Sequence, residues 1–271
     1  MTFSFKGRDI HYEVHGEGEP LLLLNGILMS TASWVPFIPH FTRAGTRLVL
    51  VDLMDQGKSG AFEEGYDIAG QAGMVAALLD HLGISRAGVM GTSYGGAVAL
   101  NLAIQRPDLA GRLMLAATRA YTDPLFRDMC ESWLHACSSP EALYTATMPL
   151  FYGASFQERS QDWLNSRRAL LERTAFSSPD FVARFKRLVE SIMDLDLRPQ
   201  LEGITAPTLV LAPEEDLVMM PWEQRRIAQN IPGAYLVTLH QTGHVMFLEK
   251  PDLFIPLVMG WFRQAGTIAL P

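Results

Sequence analysis

Short apolar runs recur along the chain, with longer helix-like segments between most of them. Several runs are continuously apolar, which is typical of strands in a parallel sheet that is covered on both faces. The regular alternation of strands and helices favours a doubly wound α/β sheet. The pattern predicts eight strands, at Thr2–Phe5, Ile10–Val14, Leu21–Leu24, Arg47–Val51, Ala87–Met90, Leu113–Ala117, Thr208–Leu211 and Tyr235–Leu239.

About 90 residues separate the predicted strand that ends near Ala117 from the one that starts near Thr208, and most of them read as helix. We expect one α/β domain with a mostly parallel sheet flanked by helices. Its core occupies residues 1–120 and 201–271, and a helical lid at 121–200 follows the sixth strand. The predicted core helices are Thr31–Phe41, Ile68–Leu82, Tyr94–Gln105, Trp222–Gln229 and Pro251–Gln264.

The composition fits a protein with a large core and argues against several kinds of partner. Of the 271 residues, 48% are hydrophobic and 19% are charged, with a formal net charge of -7. Such an acidic chain is not expected to bind nucleic acid or an anionic membrane. No apolar run approaches the ~18 residues of a membrane span. The first residues lack the pattern of a signal peptide, so we expect a cytoplasmic location.

The stretch Gly91-Thr92-Ser93-Tyr94-Gly95 lies between an apolar run and a small, apolar helical segment. This arrangement predicts a nucleophile elbow, a very tight turn from strand to helix with the serine at its apex. Glycine two residues before and after the serine avoids side-chain collisions in the strained turn. The Tyr94 amide then points to where an oxyanion forms. The pentapeptide alone also fits an ordinary glycine-rich turn, so other motifs must support it.

A serine hydroxyl is a poor nucleophile near neutral pH, so it needs a general base and a carboxylate that orients the base. His244 is the best candidate for the base because it follows a glycine in the loop after the last predicted strand; His240 is its close rival. Asp216 is the best candidate for the carboxylate because a short acidic turn joins it to the seventh predicted strand. Glu215 is one rival, and Asp123, after the sixth strand, is the other.

Five motifs in a fixed order resemble those of the α/β-hydrolase superfamily, and the resemblance extends over nearly the whole chain. They are Leu21-Leu22-Leu23-Leu24-Asn25-Gly26, Asp52-Leu53-Met54-Asp55-Gln56-Gly57-Lys58-Ser59, the Ser93 elbow, the segment Pro207 to Asp216, and Thr242-Gly243-His244 followed by Leu248-Glu249-Lys250-Pro251. The resemblance implies the α/β-hydrolase fold and the chain order of serine, acid and histidine. Asp55 and Pro213 stand where relatives usually have glycine.

The resemblance also implies the donors of the oxyanion hole. Relatives commonly have His-Gly where this chain has Asn25-Gly26, and the residue after that glycine supplies a backbone amide. This assigns the two donors to the amides of Ile27 and Tyr94, with Asn25 bracing the loop. The segment Asn25 to Trp34 is similar to the corresponding loop of the acyltransferase that joins two 3-hydroxyacyl chains in rhamnolipid synthesis. Acyl transfer on hydroxyacyl thioesters therefore stays an alternative.

A serine nucleophile favours acyl-enzyme chemistry over the dehalogenase and epoxide hydrolase branches of the superfamily, which use aspartate. The chain therefore resembles a lidded serine hydrolase that cleaves a carboxylic ester, thioester or lactone, and we expect neither a cofactor nor a metal. Hydrolysis of a carbon–carbon bond in a diketone is an alternative. A non-enzymatic ligand-binding protein is another, although such a protein has no chemical need for Ser93, Asp216 and His244 together.

The lid and the active-site loops supply candidates for an apolar substrate pocket, with ordinary packing of the lid as the alternative for the lid residues. We expect the pocket to include Leu28, Trp133, Tyr144, Met148 and Val218. Further lid candidates are Leu134, Leu143, Leu150, Phe151, Tyr152 and Trp163.

The lid also carries a local excess of positive charge. Between Gln157 and Arg187 there are seven basic and four acidic residues, a net charge of +3. Such a patch fits an acyl-carrier protein or the phosphates of coenzyme A. The alternative is the polar face of amphipathic lid helices.

Overall fold

The apolar runs form the strands of one sheet in the computed structural model, which describes residues 1–43 and 45–263. In this part of the chain the sheet has eight strands: β1 (Thr2–Phe5), β2 (Arg8–His15), β3 (Glu19–Leu24), β4 (Thr46–Val51), β5 (Ala87–Thr92), β6 (Ala110–Ala116), β7 (Thr208–Pro213) and β8 (Tyr235–Leu239).

The spatial order of the strands is β1-β2-β4-β3-β5-β6-β7-β8. The pairs β1 with β2 and β2 with β4 are antiparallel, and the other neighbours are parallel. This confirms the predicted mostly parallel sheet of eight strands. Chain progression reverses direction between β3 and β5, and the crevice at the carboxyl ends of such strands is where doubly wound proteins bind ligands.

The α-helices flank the sheet and fill the long segment between β6 and β7. They are α1 (Ile38–Thr42), α2 (Ile68–His81), α3 (Tyr94–Gln105), α4 (Pro124–Ala136), α5 (Pro140–Phe151), α6 (Ala154–Arg159), α7 (Gln161–Arg173), α8 (Pro179–Glu190), α9 (Pro221–Asn230), α10 (Met246–Glu249) and α11 (Pro251–Arg263). Within the described residues, no helix is long and apolar enough to cross a membrane.

The boundaries of two predicted helices need comment. The single helix expected at Thr31–Phe41 is a 3₁₀ helix, Thr31–Phe37, followed by α1. Pro36 and Pro39 explain the difference, because proline removes backbone donors that a continuous α-helix needs. The last predicted helix is α11, and its predicted final residue, Gln264, lies outside the described residues.

Alternate residues of the central strands fill two separate cores. Leu22 and Leu24 of β3 pack on the face that α2 and α3 cover, whereas Leu21 and Leu23 pack on the other face with Trp34 and α11. All four leucines are buried. The two-residue period of a strand therefore explains why Leu21 to Leu24 of β3 are all apolar.

Helices α4 to α8 are here called the inserted helices, and three of them, α4, α5 and α8, begin with clear local signals. Asp123, Ser139 and Ser178 each accept a hydrogen bond from the amide three residues later, at 2.8 to 3.3 Å. Each of these caps is followed by proline at the first helical position. A polar cap followed by proline is a strong start signal because the cap side chain accepts from an otherwise free amide of the first turn, and proline has no amide hydrogen that needs a partner there. That these helices act as a lid, with bounds at 121–200, stays a prediction.

A buried ion pair fastens the inserted helices to the body of the protein. The Arg187 guanidinium of α8 donates to both carboxylate oxygens of Asp55, at 2.8 and 2.7 Å, and the Asp55 side chain is fully buried. Asp55 has a φ of 64°, which explains why glycine is usual at this position and why aspartate, which tolerates this region, can replace it. The replacement supplies the carboxylate that α8 binds.

We expect Arg187→Met to lower the free energy of unfolding by about 3 kcal/mol, because it leaves the buried Asp55 carboxylate without its cation. Arg168→Met is the matched control: Arg168 pairs with Glu172 at the surface, and such a pair contributes less than about 1 kcal/mol. Urea unfolding of the two variants and the wild type measures both values. Equal losses in the two variants would contradict a structural role for the buried pair.

Candidate active site

The turn between β5 and α3 has the geometry of a nucleophile elbow. Ser93 lies between them with φ 53° and ψ −119°, a strained combination for a residue other than glycine. A Cβ at Gly91 would lie 2.3 Å from the Gly95 carbonyl oxygen, and one at Gly95 would lie 2.4 Å from the Leu24 carbonyl oxygen. Only glycine fits at either position, and this is the steric reason why the sequence pattern has a glycine at each.

Asp216 and His244 meet at the carboxyl edge of the sheet. The Nδ1 atom of His244 lies 2.8 Å from Oδ2 of Asp216. The other carboxylate oxygen accepts hydrogen bonds from the amides of Val218 and Met219, at 2.8 and 2.9 Å. Asp216 and His244 are 1% and 5% exposed. A buried carboxylate held in this way fixes the ring orientation and the tautomer, and directs Nε2 away from the acid.

The rival residues have other partners. His240 and Glu214 form an exposed pair at 3.2 Å. The Glu215 carboxylate accepts hydrogen bonds from the amide and the hydroxyl of Ser155, at 2.9 and 2.5 Å. Asp123 caps α4. The geometry therefore favours His244 as the base and Asp216 as the acid.

A buried carboxylate from α10 supports the loop that carries His244. The two carboxylate oxygens of Glu249 accept hydrogen bonds from the amides of Gly243 and Gly153, at 2.8 and 3.2 Å. Burial raises the pKa of Glu249, and these two amide hydrogen bonds oppose the rise. Glu249 thus joins the histidine loop to the start of α6.

The loop after β3 lies beside the elbow and contains the predicted oxyanion donor Ile27. A Cβ built on Gly26 would lie 3.5 Å from the Ser93 Cβ, so the two segments are in contact. Asn25 braces this loop, since its side chain donates to the Val51 carbonyl at 2.8 Å and accepts from the Trp34 indole at 2.7 Å. The Asn25 side chain therefore holds the loop in place.

A chain of hydrogen bonds connects the elbow with the acid loop. The Thr118 hydroxyl donates to the Ser93 carbonyl at 2.6 Å. Gln224 of α9 accepts from the Thr118 amide at 3.0 Å and donates to the carbonyls of Thr118 and Met219, at 2.7 and 3.0 Å. The Met219 amide in turn donates to Asp216. The sequence prediction missed Thr118 and Gln224; the available signal is a polar residue on the buried face of α9, one turn before Ile227.

A cavity of about 380 Å³ opens over Ser93 and His244. Its wall is mostly apolar and comes from the loop after β3, the histidine loop and the inserted helices. The lining residues are Gly26, Ile27, Leu28, Met29, Ala32, Ser33, Thr92, Ser93, Met148, Phe151, Tyr152, Trp163, Arg167, Leu171, Ala175, Phe176, Phe181, His244, Val245, Phe247 and Leu248.

Two of the five predicted pocket residues, Leu28 and Met148, lie on this wall, and Trp133, Tyr144 and Val218 do not. Trp133 packs between the inserted helices, where its indole donates to the Ala146 carbonyl at 3.1 Å. Tyr144 lies beneath the Arg168 guanidinium, 4.9 Å from its ring. Val218 belongs to the acid loop, and its amide binds Asp216. These three residues contribute to the frame of the site and do not line its cavity.

Comparison with known proteins identifies the family. A sequence profile described as alpha/beta hydrolase fold matches residues 19–251. The chain belongs to the α/β-hydrolase family. This α/β-hydrolase is 30% identical to a protein named "Putative carbamate hydrolase RutD" from Stutzerimonas stutzeri, over 96% of this chain and 99% of that protein.

Two solved structures are also similar to this chain. The first is MGS-M2, an alpha/beta hydrolase enzyme from a Medee basin deep-sea metagenome library, which is 33% identical with a TM-score of 0.96 over 99% of each chain. The second is the enol-lactonase from Burkholderia xenovorans, which is 26% identical with a TM-score of 0.85 over 97% of this chain and 100% of that one. The superfamily and the fold inferred from the sequence are therefore confirmed.

We expect Gln224→Met to lower the free energy of unfolding by about 3 kcal/mol, at roughly 1 kcal/mol for each of the hydrogen bonds lost from a buried site. Gln229→Met, at an exposed position of the same helix, is the control and should change stability by less than about 0.5 kcal/mol. Chemical denaturation followed by circular dichroism measures both. A Gln224→Met protein as stable as the control would show that the chain of hydrogen bonds is not structural.

Proposed function

We propose that this α/β-hydrolase cleaves a carboxylic ester, thioester or lactone through an acyl-enzyme on Ser93. The observation that carries the proposal is the buried hydrogen bond between Asp216 and His244, whose ring faces the same cavity as Ser93. An oriented imidazole beside a serine on a strained turn is the arrangement that generates an oxygen nucleophile at neutral pH.

In the proposed mechanism, the Ser93 oxygen attacks the substrate carbonyl carbon while Nε2 of His244 takes the hydroxyl proton. The amides of Ile27 and Tyr94 stabilise the negative oxygen of the tetrahedral intermediate. Its collapse breaks the bond to the leaving group, which receives the proton from His244. Water then attacks the acyl-serine with His244 again as base, releasing the acid and free Ser93. Asp216 stabilises the imidazolium throughout.

The cavity supports a small, largely apolar substrate. Its volume of about 380 Å³ lies near the lower end of the range for small-molecule pockets. The similar Burkholderia protein is an enol-lactonase, which agrees with a lactone or ester substrate for this chain. In acyl transfer, an alcohol instead of water attacks the acyl-enzyme. That reaction uses the same residues and differs only in the second nucleophile.

A second candidate reaction follows from the Stutzerimonas relative, whose name specifies a carbamate substrate. Attack of Ser93 on a carbamate gives a carbamoyl-serine by the same steps, with the same oxyanion donors. The electron-donating nitrogen makes this carbonyl less reactive than that of an ester. A carbamate hydrolase of this kind should therefore also turn over activated esters, and the two candidates separate by comparing kcat/KM for the two substrate classes.

We expect a fluorophosphonate probe to modify the wild type on the peptide that contains Ser93, as located by mass spectrometry. Ser93→Ala and His244→Ala should each lower kcat for an ester panel by about 10^4- to 10^6-fold while the folded circular dichroism spectrum persists. His240→Ala is the control and should keep wild-type turnover, because that side chain is exposed and pairs with Glu214. A folded Ser93→Ala or His244→Ala protein with a tenth of normal activity would refute the assignment.

A further inference from the structure

The wall of the active-site cavity contains one permanent charge among the described residues that line it, the guanidinium of Arg167 on α7. Its neighbours on the wall include Met148, Phe151 and Leu171, which are apolar. A charge in such surroundings is costly unless something binds it, because apolar walls replace part of its hydration. The position of Arg167 therefore requires an explanation.

Three other arginines of this basic stretch form ion pairs with carboxylates of the protein. Arg168 pairs with Glu172, Arg184 with Asp180 and Arg187 with Asp55, all at 2.7 to 2.8 Å. Glu172 and Asp180 are already counted in the net charge of +3 of this stretch, and Asp55, which lies outside it, lowers the charge available to an acyl-carrier protein by one more. Arg167 forms no ion pair with a carboxylate of residues 1–43 or 45–263.

The Arg167 side chain is partly withdrawn from water. Its Nε atom is buried and has no hydrogen-bond partner among the described residues. The Tyr152 hydroxyl lies close to the guanidinium, and burial raises the pKa of Tyr152 to about 12 against the opposing effect of the Arg167 charge. Arg167 thus lines the cavity with a hydrogen bond to the neutral Tyr152 phenol, and its charge has no carboxylate partner among the described residues.

We propose that Arg167 binds a carboxylate of the substrate, so that the natural substrate is an ester, thioester or lactone with a second, anionic end. The proposal rests on the proposed function of Ser93. A guanidinium offers parallel N–H donors that match the two oxygens of a carboxylate. In a cavity with few competing polar groups, such a pair is stronger than at the surface.

The dimensions of the cavity favour a small carboxylate over the phosphates of coenzyme A, because about 380 Å³ corresponds to a small molecule. The carboxylate has two sources, the acyl part or the leaving group. In both cases the local positive charge offsets the overall charge of -7, which otherwise disfavours the approach of an anion.

The test compares substrates that differ only in charge. One arm uses the monomethyl esters of succinic, glutaric, adipic and pimelic acids against the same esters with a terminal amide. The other arm uses the butanoyl ester of glycolate against that of glycolamide. At pH 7 the acids are ionised. In one of the two arms, we expect kcat/KM for the carboxylate substrate to exceed that for the amide by roughly 10- to 100-fold. If it is the monomethyl ester arm, one chain length should be best.

Variants of Arg167 identify the source of that preference. In Arg167→Met the ratio of kcat/KM for carboxylate over amide should fall to near one, and Arg167→Lys should restore part of it. The control is Arg168→Met, which should keep the wild-type ratio because Arg168 pairs with Glu172 and lies outside the cavity wall. A wild-type ratio near one in both arms, or an unchanged ratio in Arg167→Met, would overturn the proposal.

A binding measurement separates this proposal from the proposed reaction. Calorimetric titration of Ser93→Ala protein with monomethyl glutarate and with its amide analogue reports recognition without turnover. One outcome is that the protein binds the carboxylate in preference to the amide, loses that preference in Arg167→Met, and yet shows no turnover as wild type. This result would support the subsite and refute the proposed reaction. Turnover of neutral esters with no carboxylate preference in rate or binding refutes the subsite alone.

Discussion

The tight turn at Ser93 is the constraint on which the rest of the site depends. Its backbone, with φ 53°, is held from three sides: Gly95 lies against the end of β3, the Ser93 amide donates to the Ala116 carbonyl at 2.9 Å, and Thr118 binds the Ser93 carbonyl. The surrounding strands thus compensate for a conformation that an isolated chain avoids. They also fix the direction of the serine side chain relative to the cavity.

The other half of the site is positioned by polar contacts with the same strand ends. Gln224 connects Thr118 with Met219, whose amide binds Asp216, and Asp216 in turn orients His244. The elbow and the acid therefore belong to one hydrogen-bonded unit although they are far apart in sequence. Such preorganisation matters because a misplacement of about 1 Å in a catalytic group can cost a hundredfold in rate.

The sequence alone predicted those features of the fold and the site that depend on neighbouring residues. A glycine on each side of Ser93 is dictated by the turn itself, and the leucine run of β3 is dictated by burial on both faces. The order of the motifs then indicated which acid and which histidine lie at the same sheet edge. The apolar runs likewise predicted eight strands in a mostly parallel sheet, because strands covered on both faces are continuously apolar.

The sequence alone did not predict the role of a residue whose partner lies far away in the chain. Gln224 and Thr118 are 106 positions apart, and Arg187 and Asp55 are 132 apart. Locally, only its spacing from Ile227 on the buried face of α9 distinguishes Gln224 from a surface glutamine. The same limit explains why Trp133 was assigned to the cavity and Arg167 was not: which face of a helix borders the cavity depends on how the inserted helices pack together.

Removing the charge of Asp216 tests most directly the claim that Asp216 orients His244 as the base for Ser93. An amide at position 216 cannot stabilise the imidazolium and favours the wrong tautomer, so Asp216→Asn should lower kcat by about 10^3- to 10^4-fold with KM little changed. Glu215→Gln is the matched control; the adjacent carboxylate binds Ser155, and kcat should stay within about threefold of the wild type. Steady-state kinetics of both folded variants would contradict the account if Asp216→Asn kept near-normal turnover or Glu215→Gln showed the larger loss.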